Sequence, residues 1–397
     1  MEILIRNARI IDANNDFTGD VYVKDGIISE IGASLRKDCR VLDAKNLVLM
    51  PAFCDLHVHF RDPGFTDKED IISGSLAAAR GGYTTVNLMA NTKPVCSSMD
   101  IVNYVKNKAK ETGLVDVHQT VSITRNMDGL DISHLDEIDK TVRFISDDGK
   151  GVLNEAVMLN AMKKAKSMGI TVIAHEEQST FSKFDTRLSE DYMTARDIEL
   201  AMYTKCKFHA AHVSTAGAME KVIYAKQKCR NITAEVTPHH IALTNDCDYS
   251  VNPPLRTQND ADYLIGAIKN GYVDAISTDH APHTAGDKKN GAPGISGIET
   301  AFSVCFTKLV RCGYINLNML SRLMSCNPSH LMGYKKGLIV PGYDGDLVLI
   351  DINKKYRVDK DKFASKGKNT PFDGMYLYGK VMAAIKAGNI TYIEEEL

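Results

Sequence analysis

Leu47-Val-Leu-Met-Pro-Ala-Phe-Cys-Asp-Leu-His57-Val-His59-Phe-Arg61-Asp-Pro-Gly64 starts as an apolar run and ends in two histidines and an arginine. Side chains of a strand alternate with period two, so His57, His59 and Arg61 project to one side. Two imidazoles at the end of an apolar strand can share a metal ion. They can equally be a buried, hydrogen-bonded pair, because short motifs match by accident. The rest of the chain decides between these.

Further apolar runs end near Asn91, Ser122, Asp148, His175, His212, Thr237 and Asp279. Helix-like segments such as Asp67 to Arg80, Asn154 to Met168, Thr215 to Arg230 and Ile298 to Cys312 alternate with them. The spacers run from 25 residues (His212 to Thr237) to 42 (Thr237 to Asp279). Eight strands with helix-sized spacers predict an α/β chain whose parallel strands close into a (β/α)8 TIM barrel. A doubly wound sheet is the alternative, but its Gly-rich phosphate turn, GxGxxG, is missing. Both chain ends read as short strands with turn residues, among them Asp25-Gly26 and Gly388-Asn389, and are expected to pair with each other.

The strand ends carry the chemistry. Asp148, His175, His212 and Asp279 each close an apolar run, and in a barrel such ends meet at one face. With His57 and His59 they make six nitrogen and oxygen donors, which suit one or two divalent ions such as Zn²⁺ and leave positions for water. A water activated in this way attacks carbonyls. The alternative for Asp147, Asp148 and Asp279 is that they cap the following segments. Arg61 should sit beside the metals, where its guanidinium can grip a carboxylate, unless it makes a surface salt bridge. Asn91 can offer an amide to the same group or simply form a turn. Asn252-Pro-Pro-Leu-Arg256 and Ala292-Pro-Gly294 read as loops over the mouth, and His239 and His240 as supporting residues. For His118, His134, His209 and His330 a structural role is expected, and the charged stretch Lys354 to Lys368 is expected to be exposed.

Composition excludes several classes. The 397 residues are 44% apolar and 25% charged, ample for a large core, and 48 basic against 50 acidic side chains leave a net charge of −2. That balance disfavours nucleic-acid binding. No run of 18 apolar residues occurs, and Met-Glu-Ile-Leu-Ile-Arg lacks a signal-peptide pattern, so a cytoplasmic protein without a membrane segment is expected. Nine scattered cysteines with no CxxC pair predict reduced thiols.

His57-Val-His59-Phe-Arg-Asp-Pro-Gly, Asn91-Thr-Lys-Pro, Ser146-Asp-Asp-Gly, Ala174-His-Glu, His212-Val-Ser-Thr, Glu235-Val-Thr-Pro-His-His, Asn252-Pro-Pro-Leu-Arg, Thr278-Asp-His-Ala-Pro-His and Lys366-Gly-Lys-Asn-Thr-Pro-Phe span nearly the whole chain. Together they resemble the long bacterial dihydroorotases of the amidohydrolase superfamily. The resemblance implies a metal-dependent barrel over 51–339 and a small β-sandwich built from 1–50 and 340–397. It implies reversible cyclisation of N-carbamoyl-L-aspartate to L-dihydroorotate in pyrimidine synthesis. By motif, His57, His59, Asp148, His175, His212 and Asp279 would be ligands of one or two Zn²⁺, and Asp279 would also carry the proton. Arg61, Asn91 and His283 would hold the substrate carboxylate, while Asn252, Pro293 and Gly294 would line the ring. The resemblance leaves room for a homodimer and for contact with an aspartate transcarbamoylase.

Two features depart from the pattern: Ala90 replaces a usual proline, and the segment between His175 and His212 is short. Lys150 competes with Asp148 as the bridging group, because hydantoinases use a carbamylated lysine. The rival functions are a hydantoinase, dihydropyrimidinase or allantoinase, and a catalytically silent scaffold barrel.

Overall fold

In the computed structural model, which describes residues 2–395 and 397, the chain begins with β1 (Glu2–Ile11), β2 (Asp16–Lys24), β3 (Ile27–Gly32), β4 (Arg40–Asp43) and β5 (Val48–Pro51). β1 and β2 pair antiparallel from Glu2↔Lys24 to Ile11↔Asp16 across a register shift between Ile5 and Ala8. The two short runs at the start of the sequence are therefore one strand with an irregularity. Asp25 and Gly26 have φ of 50° and 82°, the left-handed pair that a two-residue hairpin between β2 and β3 requires.

Eight strands follow: β6 (Phe53–Val58), β7 (Tyr83–Leu88), β8 (Asp116–Gln119), β9 (Phe144–Ile145), β10 (Thr171–Ala174), β11 (Lys207–Ala210), β12 (Ile232–Val236) and β13 (Ala275–Ile276). β6-β7-β8 form one sheet and β13-β12-β11-β10-β9 another, with every pairing parallel. Single parallel bridges join the two sheets at both edges, Val121↔Ile145 near β8 and β9 and Val58↔His280 beyond β6 and β13. The strands are buried along nearly their whole length, as parallel strands covered on both faces must be.

The crossovers form where capping residues begin them. Asp70 accepts from the Ser73 amide at the start of Ile71–Arg80, Asn154 from the Ala156 and Val157 amides before Glu155–Met168, and Thr215 from the Ala218 amide before Ala216–Lys228. Two expectations shift. The helix read from Ile298 to Cys312 starts at Ala301 and passes into a π turn over Phe306–Val310. Between β8 and β9 only the 3₁₀ turns Arg125–Met127 and Ser133–Asp136 occur, in a segment that carries four aspartates.

β14 (Leu347–Arg357), β15 (Tyr376–Lys386) and β16 (Asn389–Ile393) complete the chain. β14 pairs antiparallel with β5 from Leu347↔Pro51 to Ile350↔Val48, so the two chain ends share one hydrogen-bonded sheet. Its order is β16-β15-β14-β5-β1-β2-β3, with β4 attached to the first half of β1. Ile3, Ile5, Val21, Val23, Leu49, Leu347 and Ile385 form its apolar core. The stretch from Lys354 to Lys368 is less exposed than its charge suggests: Ser365 is 1% exposed, because its hydroxyl meets the buried Glu69 carboxylate. Among the described residues no helix is long and apolar enough to cross a membrane.

Lys336 fastens the terminal sheet to the parallel strands. The residue is 7% exposed, and its ammonium lies 2.7 Å from Asp346 and also meets Asp116 and the Thr85 hydroxyl. Lys336→Met would leave the buried Asp346 carboxylate uncompensated. We expect a loss of about 3 kcal/mol, read as a lower denaturation midpoint in urea.

Candidate active site

Burying charged and polar groups is costly unless each finds a partner, so the partners of the strand-end residues define the site. Asp148 lies three residues past β9, and its Oδ1 is 3.2 Å from His57 Nε2, 3.5 Å from His212 Nε2 and 3.6 Å from His175 Nδ1. Its Oδ2 is 3.5 Å from His59 Nε2. Asp279 Oδ1 is 3.0 Å from His59 Nε2 and 3.8 Å from His57 Nε2. All six residues read from the sequence as metal donors thus converge. Two triads, His57-Asp148-His212 and His57-His59-Asp279, each keep their donor atoms within 4.8 Å of one another.

The donor set fits a divalent ion on an observation of its own. His57 Nε2 and Asp148 Oδ1 are both buried and neither makes a hydrogen bond, although they lie 3.2 Å apart. Leaving two such groups unpaired would cost kilocalories, and an ion between them removes that cost. His212, Asp279 and Arg61 have φ of 33°, 46° and 59°, sparsely populated values for residues with a Cβ and of the kind that clusters at functional sites.

Outer hydrogen bonds orient three of the four imidazoles. His57 Nδ1 is 2.9 Å from Glu235 Oε1, His59 Nδ1 is 2.9 Å from Asn91 Oδ1, and His175 Nε2 is 3.0 Å from Glu177 Oε2. Each oxygen accepts the ring N–H, which leaves the other nitrogen's lone pair facing the cluster. Burial opposes ionisation of Asp148, yet His57, His175 and His212 hold its carboxyl well below the usual range. Burial likewise opposes protonation of His175, but Asp148 and Glu177 raise it to about 9. Burial lowers His59.

Glu235 and Glu177 were not singled out from the sequence. Glu235 is fully buried on β12, touching His57, the Ser277 hydroxyl and, at 3.1 Å, His209 Nε2. A lone carboxylate in the apolar strand Ile232-Thr-Ala-Glu-Val was the available signal. His209, read as having only a structural role, belongs to this chain of contacts. Asp147, next to Asp148, turns the other way and accepts from the Thr124 amide at 3.1 Å. Lys150 is exposed with its ammonium 3.4 Å from the Met127 carbonyl, away from the cluster.

The residues expected to hold substrate surround the cluster. Arg61 donates to the Pro282 carbonyl at 3.3 Å, and its Nη2 is 3.3 Å from His283 Nε2. Among the described residues it makes no ion pair, and burial lowers its pKa. His283 Nε2 meets the Pro293 carbonyl at 2.9 Å, and burial and Arg61 lower its pKa to about 4. Gly294 has φ of 141°, and a Cβ there would lie 2.7 Å from the Ala281 carbonyl. Asn252 donates to Glu177 at 3.0 Å, and Asn91 Nδ2 to Asp148 Oδ2 at 3.3 Å, so both amides are held by the cluster itself. His240 Nε2 donates to the Pro253 carbonyl at 2.9 Å, which supports the Asn252 loop. A cavity of about 500 Å³ is lined by Met127, Leu130, Lys150, Leu153 and Glu177, and by none of the six cluster residues.

The fold is that of the cyclic amide hydrolases. An L-hydantoinase (dihydropyrimidinase) from Arthrobacter aurescens matches with a TM-score of 0.90 at 24% identity, covering 98% of this chain and 95% of that one. A dihydropyrimidinase from Brevibacillus agri NCHU1002 matches at 0.88 and 24% identity with the same coverage. Within that fold the chain belongs to the dihydroorotase family. It is 55% identical over 396 residues to a dihydroorotase of Clostridium botulinum, covering 99% of this chain and all of that one. It is 41% identical to a dihydroorotase of Thermoanaerobacter sp., covering 99% and 97%. The family model described as Dihydro-orotase-like matches residues 46–188.

The distances separate the two bridging candidates. We expect Asp148→Ala to lose bound zinc and activity and Lys150→Ala to keep most of both, measured by metal content after dialysis. Intact mass should show no carbamate on lysine.

Proposed function

We propose that this chain catalyses the reversible interconversion of N-carbamoyl-L-aspartate and L-dihydroorotate in pyrimidine synthesis. The observation that carries the reading is Arg61: a guanidinium beside the Asp148 cluster, donating to one backbone carbonyl, with no carboxylate paired to it among the described residues. Such a cation calls for an anionic ligand, and a substrate carboxylate meets it in bidentate fashion. Hydantoin and allantoin carry no carboxylate for it. The full-length relatives named dihydroorotase support the same reading, and the complete set of six donors speaks against a silent scaffold.

In the same reading the eight parallel strands close as a (β/α)8 barrel over 51–339, and residues 1–50 and 340–397 form a small β-sandwich. The bridges at both sheet edges support closure, and the attachment of β4 and β5 to different halves of β1 supports folding of the terminal sheet.

His57, His59, Asp148, His175, His212 and Asp279 would hold one or two Zn²⁺, a nitrogen and oxygen set that suits this ion. When bound, zinc supplies a Lewis acid for the amide carbonyl and lowers the pKa of a water. Arg61, His283 and Asn91 orient the substrate carboxylate, and Asn252 with Pro293 and Gly294 lines the ring. Burial opposes its ionisation, but His59 and His57 keep the Asp279 carboxyl below the ordinary range, so it is ionised and ready to accept a proton. It takes that proton from the attacking water and hands it to the leaving ring nitrogen. In the cyclising direction Asp279 receives the ureido proton as the nitrogen attacks the side-chain carboxyl.

Two outcomes are expected. Zinc-supplied protein should interconvert carbamoyl-aspartate and dihydroorotate and leave hydantoin untouched, and Arg61→Met should lower kcat/KM for dihydroorotate roughly a hundredfold, the loss of a charge-assisted pair of hydrogen bonds. Turnover of hydantoin without dihydroorotate would overturn the reading. Carbamoyl-aspartate carries two carboxylates and dihydroorotate one, so cyclisation consumes a proton. The equilibrium ratio should therefore move about tenfold toward the open acid for each unit of rising pH, followed by chromatography of equilibrated mixtures.

A further inference from the structure

The segment Ser365-Lys-Gly-Lys-Asn369 approaches the site from the far end of the chain. Ser365 and Lys366 anchor it: the Ser365 hydroxyl meets Glu69, the Lys366 amide donates to Glu69 at 3.2 Å, and its ammonium lies 2.6 Å from Asp70. Gly367 then passes so close to the Asp279–His283 loop that a Cβ would lie 2.6 Å from Pro282 Cβ and 2.9 Å from the His283 nitrogen. Only a residue without a side chain fits there.

Asn369 follows and is 8% exposed. Its Oδ1 accepts from the His283 amide and from the Ser296 hydroxyl, both at 2.8 Å. Its Nδ2 donates to the Ala281 carbonyl at 3.1 Å and to the Gly294 carbonyl at 2.9 Å. Its backbone carbonyl accepts from the Ser296 amide at 2.7 Å. Every donor and acceptor of the side-chain amide is used, and the contacts are divided between two loops. One loop carries Asp279 and His283, the other Pro293 and Gly294. These same loops touch through His283 Nε2 and the Pro293 carbonyl, and through the Ala281 amide and the Ile295 carbonyl.

We infer that Asn369 is a positioning residue for substrate binding: its amide clamps the His283 loop to the Pro293-Gly294 loop and so sets the width of the pocket for the carboxylate-bearing ring. The inference rests on the substrate roles proposed above for those loops. Aspartate has the same shape but replaces both donors with an anion facing the Ala281 and Gly294 carbonyls. The loops then part on the side where substrate binds, while the six metal donors keep their own partners. A displacement on the order of 1 Å in a positioning group costs up to a hundredfold.

The test uses the full-length, zinc-supplied protein and dihydroorotate as substrate, with zinc content and thermal midpoint recorded for each variant. Asn369→Asp is expected to raise KM at least about tenfold with kcat within about threefold of the parent, and with zinc content and midpoint retained. Gly367→Ala, which presses the same segment against Pro282, should raise KM in the same direction and carries the test should Asn369→Asp not fold. An unchanged KM, or a rise that comes only with loss of zinc, would overturn the inference. Failure of the parent protein to turn over dihydroorotate would instead remove the functional reading beneath it.

Discussion

Parallel pairing of β6 to β13 puts the C-terminal ends of eight strands on one side of the molecule, and the whole site depends on that constraint. His57 comes from the first strand of the set, Asp148, His175 and His212 from the ends of β9, β10 and β11, and Asp279 from the end of β13. In sequence they are up to 222 residues apart, from His57 to Asp279. Asp55, buried beside His57, ties the two extremes together: its carboxylate accepts from the Thr278 amide at 3.0 Å and from the Thr278 hydroxyl at 2.6 Å. Burial pushes this carboxyl up to about 7, against the opposing effect of the bonds from Thr278 and the His57 amide.

Collecting buried imidazoles and carboxylates is unfavourable unless their remaining hydrogen-bonding capacity is met. The chain meets much of it from neighbouring strands. Glu235 on β12 serves His57 and His209, Asn91 beyond β7 serves His59 and Asp148, and Glu177 beyond β10 serves His175 and Asn252. Each contact selects which ring nitrogen keeps its proton and therefore which faces the cluster. The convergence of six donors and the orientation of their rings are one piece of architecture.

In the proposed reading the substrate side is built differently, from loops. Arg61, His283 and the Pro293-Gly294 turn are held mostly by backbone carbonyls and amides, and the last fastening comes from Asn369 near the other chain end. The terminal segment is thus part of the pocket wall as well as of the second sheet. Such loops can change specificity while the strand-borne cluster stays constant, as is common where strand ends carry the chemistry.

What the amino-acid order determined by itself was periodic and local. Apolar runs of strand length, helix-sized spacers, and a histidine or aspartate at the close of particular runs identified the parallel α/β pattern and the six residues that converge, because a strand end is a position that sequence periodicity marks. The Asp25-Gly26 turn was legible for the same reason: two left-handed residues are a local requirement. The tertiary structure decided what depends on neighbours far along the chain. It separated Asp148 from Lys150 and Asp147, whose spacing alone was equivocal, by directing one side chain inward and the others elsewhere. It brought Glu235 and His209 from adjacent strands behind His57, and it buried Ser365, in a stretch whose charge suggested solvent, and Asn369 just beyond that stretch. Those contacts follow from the register of strands and the packing of loops, and neither is written in any short window of sequence.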